Sequence, residues 1–307
     1  MSKCCTMSRG VKGVNWNQGQ WTSQSKEIPD SMILLTGGEF LMGTEDDERH
    51  VLDGEGPVRL TSVDPFYLDS YAVSNARFSD FIRESGYVTD AEMYGWSFAF
   101  LPFLSQEAEE AVKGVVTETP WWAAVEGSNW LHPEGPGSSI QCRMDHPVVH
   151  LSWRDAMSFC QWSGTRLPTE AEWEFAARGG LIQKKYPWGN ELQPNGEHQC
   201  NIWQGTFPHE NTGEDGYKST APVHTFKPNG YGLYHIVGNT WEWCSDWYDP
   251  QGPPQRERKS LRGGSFLCHE SYCNRYRVSA RTSNTIDSSA CHMGFRCAMN
   301  AYGGGRI

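Results

Sequence analysis

The sequence predicts a single α+β domain, loop-rich and low in regular secondary structure, over residues 30–307, preceded by a flexible leader over residues 1–29. Three observations predict it. Glycine (32), tryptophan (14) and tyrosine (12) are plentiful while charged residues make up only 21%, which favours ordered loops held by aromatic packing over a helical bundle. Short apolar runs alternate with turn chemistry, and no linker divides the 307 residues. Helical punctuation, a capping residue at one end and glycine at the other, is confined to a few stretches.

Taken in order, the leader is polar and contains glycine, so Cys4 and Cys5 read as thiols of a disordered tail. Met32–Met42 reads as two short strands around Gly37-Gly38, a hairpin signal. Gly43–Gly56 is an acidic loop whose carboxylates are expected on a solvated surface. Val58–Leu68 supplies residues for two more strands. Ser74-Asn75 caps a helix through Glu84, with Ala76, Phe78, Phe81 and Ile82 on its apolar face and Gly86 to end it. Residues 87–149, with Trp96, Trp121, Trp122 and Trp130, show little periodicity and read as a long irregular segment, too aromatic for disorder. Ser152 caps a helix over Trp153–Trp162 that Gly164 stops, and Thr169 with Glu172 forms a capping box for a second that ends before Gly179-Gly180. Tyr186–Asp246 reads as strands and ordered loops.

A net charge of −11 argues against a nucleic-acid partner, which is bound chiefly through clustered lysine and arginine; a basic peptide is the more natural guest. No apolar run approaches the roughly 20 residues that span a bilayer, and the opening lacks the apolar core of a secretory signal. The expectation is a cytoplasmic monomer with no membrane partner. The ten cysteines are scattered rather than arranged in zinc knuckles, and neither a dinucleotide fingerprint nor an iron-binding triad of two histidines and a carboxylate is visible.

Chemistry concentrates in Leu261–Cys297. Cys268 and Cys273 are five positions apart, a step that leaves the side chains about 140° apart on a helix and on opposite faces of a strand. If the sulfurs meet, the backbone between them turns. Such a pair forms a disulfide or grips a soft ion, and two thiolates alone suit Cu(I), with sulfurs about 4–5 Å apart for two bonds of about 2.3 Å. A second cluster lies in Asn201–Glu242, where Asn201, Asp215 and nearby carbonyls offer the hard oxygens that Ca²⁺ gathers; the plain alternative is that Asp215 and Glu242 cap turns.

The run GGSFLCHESYCNRYR, followed by ARTSNTIDSSA and GFRC, resembles the C-terminal signature of formylglycine-generating enzymes, the sulfatase-modifying oxidases. HPVVHLSW, RLPTEAEWEFAARGG, YPWGNEL, NIWQGTFP, NTGEDGY, PNGYGLYHIVGN and WEW extend the likeness across most of residues 30–300. The resemblance implies a C-type-lectin-like fold and oxidation, by O2, of a cysteine in a CxPxR motif to Cα-formylglycine, the partner being an unfolded or nascent sulfatase-type polypeptide. It implies that Cys268 and Cys273 hold Cu(I) with the substrate thiolate as third ligand, that a thioaldehyde forms and hydrolyses, and that Ser265, Tyr272 and Trp241 line the active site. Ser97 and Trp241 would touch substrate, although Trp96 stands where other members carry an acidic residue. One Ca²⁺ would be held by Asn201, Ile202, Asp215 and Tyr217; a second by Gly238, Thr240 and Glu242, with His235 in a place commonly filled by asparagine. Cys160 and Cys297 match a disulfide of some relatives and are expected here as buried thiols. Arg275 and Arg277 are expected to order the segment through carboxylate or carbonyl contacts. A different class of function shares the fold, a non-catalytic module binding peptide or carbohydrate, in which Cys268 and Cys273 would be a disulfide.

Overall fold

A computed structural model describes residues 7–9, 28–249 and 257–301. Met32–Leu35 (β1) and Gly38–Met42 (β2) are strands, but they do not pair as a hairpin. β1 pairs with Phe66–Asp69 (β4), and β2 with Arg59–Val63 (β3), all antiparallel. The cause lies at Gly37, whose φ is +64° and where a Cβ would stand 2.3 Å from the Val63 carbonyl oxygen. The β1–β2 and β3–β4 corners are thus packed on each other, and both chain segments pass together from one sheet to the next. Ala298–Asn300 (β14) adds to β4, so the two ends of the domain meet in one sheet.

Asn75–Ser85 (α1) starts at its Ser74 cap and stops at Gly86 in the left-handed region. Phe78 and Phe81 are buried, whereas Ala76 is exposed. The expected irregular stretch is ordered over its first half: Asp90–Tyr94 (α2), Trp96–Phe100 (β5), Gln106–Glu110 (α3), Val112–Val115 (β6) and Trp122–Glu126 (β7), with the strands in the order β5-β7-β6. Ser97 to Phe100 are all buried, as are Trp122, Ala123 and Val125, so β5 and β7 are covered on both faces and show no alternation to read, while β6 at the edge is largely exposed.

Trp153–Ser163 (α4) has its expected Ser152 cap, completed by Asp155 into a capping box, and Glu170–Arg178 (α5) has the expected box of Thr169 and Glu172, with Gly164 and Gly179 at their ends. Gly205–Thr206 (β8) pairs with Glu210–Asn211 (β9), and most of Tyr186–Thr240 is turn and loop. A four-stranded sheet then forms from Trp241–Trp247 (β10), Arg258–Arg262 (β11), Arg281–Thr285 (β12) and Met293–Gly294 (β13), in the order β12-β11-β10-β13. α5 is its electrostatic anchor. Glu170 accepts from Arg281, Arg262 at 3.2 Å and Ser260, while Glu174 accepts from Arg262 and from Arg178 at 2.6 Å. Among the described residues no helix is long and apolar enough to cross a membrane.

The acidic loop departs from its expected surface role. Glu45, Asp47 and Glu48 are exposed, but Asp53 and Glu55 are 5% and 1% exposed. Asp53 accepts from Arg275 Nε at 2.7 Å, and Glu55 takes both terminal nitrogens of Arg277, at 2.6 and 2.8 Å. The expectation for the two arginines holds: they order the segment. The leader also departs from expectation. Met7 and Arg9 are buried against the domain, the Met7 carbonyl accepting from Asn284 Nδ2 at 2.8 Å. Cys4 and Cys5 lie outside the described residues.

Glu55→Gln keeps the volume but leaves the Arg277 charge buried and uncompensated, so urea unfolding at neutral pH is expected to show a loss of about 3–5 kcal/mol, largely recovered when Arg277→Met is combined with Glu55→Met. Glu170 gives a pH dependence. Burial raises its pKa, but Arg281 and Arg262 outweigh burial and hold it below the ordinary value of 4.5. Its contribution is therefore complete above that ordinary value and is lost as pH falls through the lower folded value. Thermal melts from about pH 6 down to about pH 3 should fall less steeply for Glu170→Gln than for the wild type, from a lower starting point.

Candidate active site

The thiols sit in the connection between β11 and β12. Gly263 and Gly264 have φ of +94° and +74°, and a Cβ on Gly264 would lie 2.7 Å from the Arg275 carbonyl oxygen, so only glycine lets the outgoing chain lie against the returning one. Beyond Ser265 the chain turns on the His269 carbonyl, which accepts from Tyr272 N at 3.1 Å and Cys273 N at 2.7 Å. That is the turn the five-residue step demands. It brings the Cys268 and Cys273 sulfurs to 3.3 Å, not joined as a disulfide and with no exposure.

The sulfurs receive donors from the same loop. Ser265 N approaches Cys268 Sγ at 3.4 Å, and Arg275 Nη1 approaches Cys273 Sγ at 3.6 Å. A guanidinium beside the second sulfur favours thiolate over thiol. Ser265 is buried and its hydroxyl accepts from Leu267 N at 3.3 Å, so it shapes the turn that presents Cys268. Tyr272 is half-buried, stacked on Phe207 with centroids 4.6 Å apart and edge-on to Trp121 at 4.9 Å. Trp241 is fully buried in β10, and its indole N–H has no partner among the described residues. With no exposed surface, it forms part of the wall of the core. Ser97, likewise expected at the substrate, is buried, with its hydroxyl bonded to His150 Nδ1 at 2.8 Å, Ser289 O at 3.0 Å and Ser289 Oγ at 2.7 Å.

One residue that sequence reasoning passed over joins the site. His292 is fully buried, packs on Trp122 with centroids 4.6 Å apart, and neither ring nitrogen has a partner among the described residues. Burial lowers its pKa to about 3, with the neighbouring Cys273 pulling the other way, so a neutral imidazole faces the dithiol region. Its sequence context, SSACHMGFRC, carries no spacing signal that would have singled it out.

The donor set at the cysteines fits a soft ion. The separation of 3.3 Å exceeds the roughly 2.05 Å of a disulfide bond and is short of the about 4–5 Å of a linear two-coordinate dithiolate. No group of three or more histidine, cysteine or acidic side chains arranged to hold a metal occurs among the described residues.

The two calcium sets differ. In the first, Asn201 Oδ1 is buried without a hydrogen-bond partner, and Ile202 O and Asp215 Oδ2 converge on the Gln204 Nε2 amide group, Asp215 at 2.8 Å. Burial raises the Asp215 pKa, as expected of a carboxylate short of a counter-charge, and Tyr217 N donates to its other oxygen at 2.9 Å. These oxygens fit a hard cation. The loop also supports the thiols, since Trp203 N donates to Cys268 O at 3.1 Å. In the second set, Glu242 is the counter-charge of Arg296, accepting at 2.7 and 2.8 Å, and takes Trp173 Nε1 at 2.8 Å. His235 is held neutral by burial, its pKa near 3, and bonds the Pro222 carbonyl. Glu242, the one charged member of the set with Gly238 and Thr240, is therefore committed to an ion pair and does not fit a cation as it stands.

Cys160 and Cys297 are buried free thiols with sulfurs 3.8 Å apart. Burial raises the pKa values of Cys200, Cys244 and Cys291, which marks them as inert packing residues.

The chain matches the sulfatase-modifying factor enzyme 1-like domain over residues 17–301. It is 58% identical over 287 residues to the formylglycine-generating enzyme of Thermomonospora curvata, covering 89% of this chain and 94% of that protein. It is 44% identical over 286 residues to the inactive C-alpha-formylglycine-generating enzyme 2 of Bos taurus, covering 92% of each. The structure of PvdO from Pseudomonas aeruginosa shares the fold, with a TM-score of 0.61 at 21% identity over 88% of this chain and 94% of that one. With the dithiol loop intact and the likeness running almost end to end, the chain belongs to the sulfatase-modifying factor enzyme 1-like family.

Proposed function

We propose that this protein converts a cysteine in a CxPxR motif of a sulfatase-type polypeptide to Cα-formylglycine, with O2 as oxidant and Cu(I) held by Cys268 and Cys273. The observation that carries the reading is the pair of buried cysteines, not joined as a disulfide, with sulfurs 3.3 Å apart on a loop shaped to present them. Because an inactive relative shares the fold, likeness alone does not decide between an oxidase and a binding module.

Held by Cys268 and Cys273, Cu(I) would supply affinity for the substrate thiolate and the redox chemistry that activates O2. The chain's own residues do the rest. Arg275 Nη1 at 3.6 Å from Cys273 Sγ and Ser265 N at 3.4 Å from Cys268 Sγ hold the two sulfurs in place. Trp241 closes the pocket from inside, and Tyr272, with Phe207 and Trp121, walls its outer side, so bulk water is kept from a reactive species. Transfer of two hydrogens from the substrate Cβ–S unit to O2, which leaves as H2O2, gives a thioaldehyde, and water then replaces the sulfur, releasing H2S and leaving the aldehyde. A structural Ca²⁺ at Asn201, Ile202, Asp215 and Tyr217 would brace the loop behind Cys268.

Mass spectrometry of a CxPxR peptide incubated under air with copper-loaded protein should show the aldehyde and loss of the thiol, and neither without copper; an unchanged peptide beside verified bound copper would favour the binding module. Cys268→Ser and Cys273→Ser should each lower turnover at least about 100-fold, the loss that even supporting contacts to a metal produce, with melting temperature little changed. Retained turnover in either variant sinks the mechanism. Saturating Ca²⁺ is expected to raise the melting temperature by about 5 °C in the wild type and not in Asp215→Ala.

A further inference from the structure

Arg9 is a leader residue that the chemistry above does not use, yet it is 7% exposed and held in a built site. Its guanidinium carbon lies 4.4 Å from the centre of the Tyr94 ring and 4.6 Å from that of Trp96, Nη2 donates to Ser289 Oγ at 2.6 Å, and its backbone N–H donates to Ser288 Oγ at 2.9 Å. Asp90, Asp155 and Asp287 supply a negative field around it, with Arg154 forked onto Asp90 at 2.8 and 2.9 Å. Two aromatic faces, hydroxyl acceptors and acidic surroundings are what a planar guanidinium selects.

The site adjoins the chemistry. Ser289 Oγ, which receives Arg9, is also bonded to Ser97 Oγ, and three residues on from Ser289 lies His292, beside Cys273. Cys5-Thr6-Met7-Ser8-Arg9 repeats the CxPxR spacing with methionine in the proline position. Cys5 enters only through that spacing, in which an extended chain places cysteine and arginine up to about 14 Å apart. Arg9 is also an imperfect occupant: Nε and Nη1 are buried with no partner among the described residues, so a better-fitting arginine would displace it.

We propose that the leader is a cis-acting pseudosubstrate: Arg9 fills the site that receives the arginine of a CxPxR polypeptide, and substrate binds only by displacing it. This rests on the CxPxR reading above. Tethering gives the leader a high effective concentration, so even a weak motif competes.

Anisotropy of a labelled CxPxR peptide on copper-free protein tests it without turnover. Arg9→Ala, and a chain lacking residues 1–9, should each bind the peptide about tenfold more tightly than the full chain. A free peptide spanning residues 4–10 should compete on the shortened chain, and the copper-loaded variants should show KM lowered by the same factor at unchanged kcat. Equal affinity in all three chains, or no peptide binding by any of them, overturns the proposal. Tighter binding after trimming without any oxidation would leave this inference standing and refute the catalytic one; oxidation with unchanged KM would do the reverse.

Discussion

The connection between β11 and β12 carries both thiols and has no strand ladder of its own, so its shape depends on Arg275 with Asp53 and Arg277 with Glu55. Each partner is almost fully buried, and a buried pair adds little net stability because two charges must first leave water. What it adds is selectivity. Any other course of residues 273–277 would strand a guanidinium or a carboxylate in the interior, which costs far more than the pair contributes. His50 and Asn274 extend the same contact at 2.6 Å, and Gly264 allows the two limbs of the loop to touch. A sulfur separation set by neighbours this constrained is a property of the whole domain, not of the short turn at His269.

What could be read from sequence follows the range of the forces. Ser74, Ser152 and Thr169 act within three residues, and Gly86, Gly164 and Gly179 end their helices through their own backbone freedom, so α1, α4 and α5 were legible almost to the residue. The turn between Cys268 and Cys273 was legible because spacing alone excluded a straight helix or strand. Pairing was not, since the β1–β2 hairpin signal lost to a corner packed on Val63. Nor was the burial of Asp53 and Glu55, whose arginines stand 222 residues away in the chain. Residues 96–126 hid a sheet because strands covered on both faces lack the alternation that reveals a half-exposed one. In the site, resemblance could not say that Ser97 lies beneath the leader's contact with Ser289, or that Glu242 is committed to Arg296.

Polar atoms near the thiols bear on how the pocket works. Trp241 Nε1, Trp203 Nε1, Trp121 Nε1 and both nitrogens of His292 are buried without a hydrogen-bond partner among the described residues. These residues are tied to the site by contact: Trp203 through the Cys268 carbonyl, Trp121 through Tyr272, and Trp241 through the His292 carbonyl. Buried polar groups left unpaired are rare because each loses its hydration without return, and several together in an otherwise well-satisfied core are characteristic of a place that takes a polar guest. A guest bound there gains donors already desolvated and already oriented, so little reorganisation remains when charge builds up on it. The same dryness suits two adjacent sulfurs, which in open solvent would be exposed to oxidants before any substrate arrived. Burial of the thiols and shortage of hydrogen bonds around them therefore go together: this part of the core is closed to solvent yet leaves several polar atoms unpaired among the described residues.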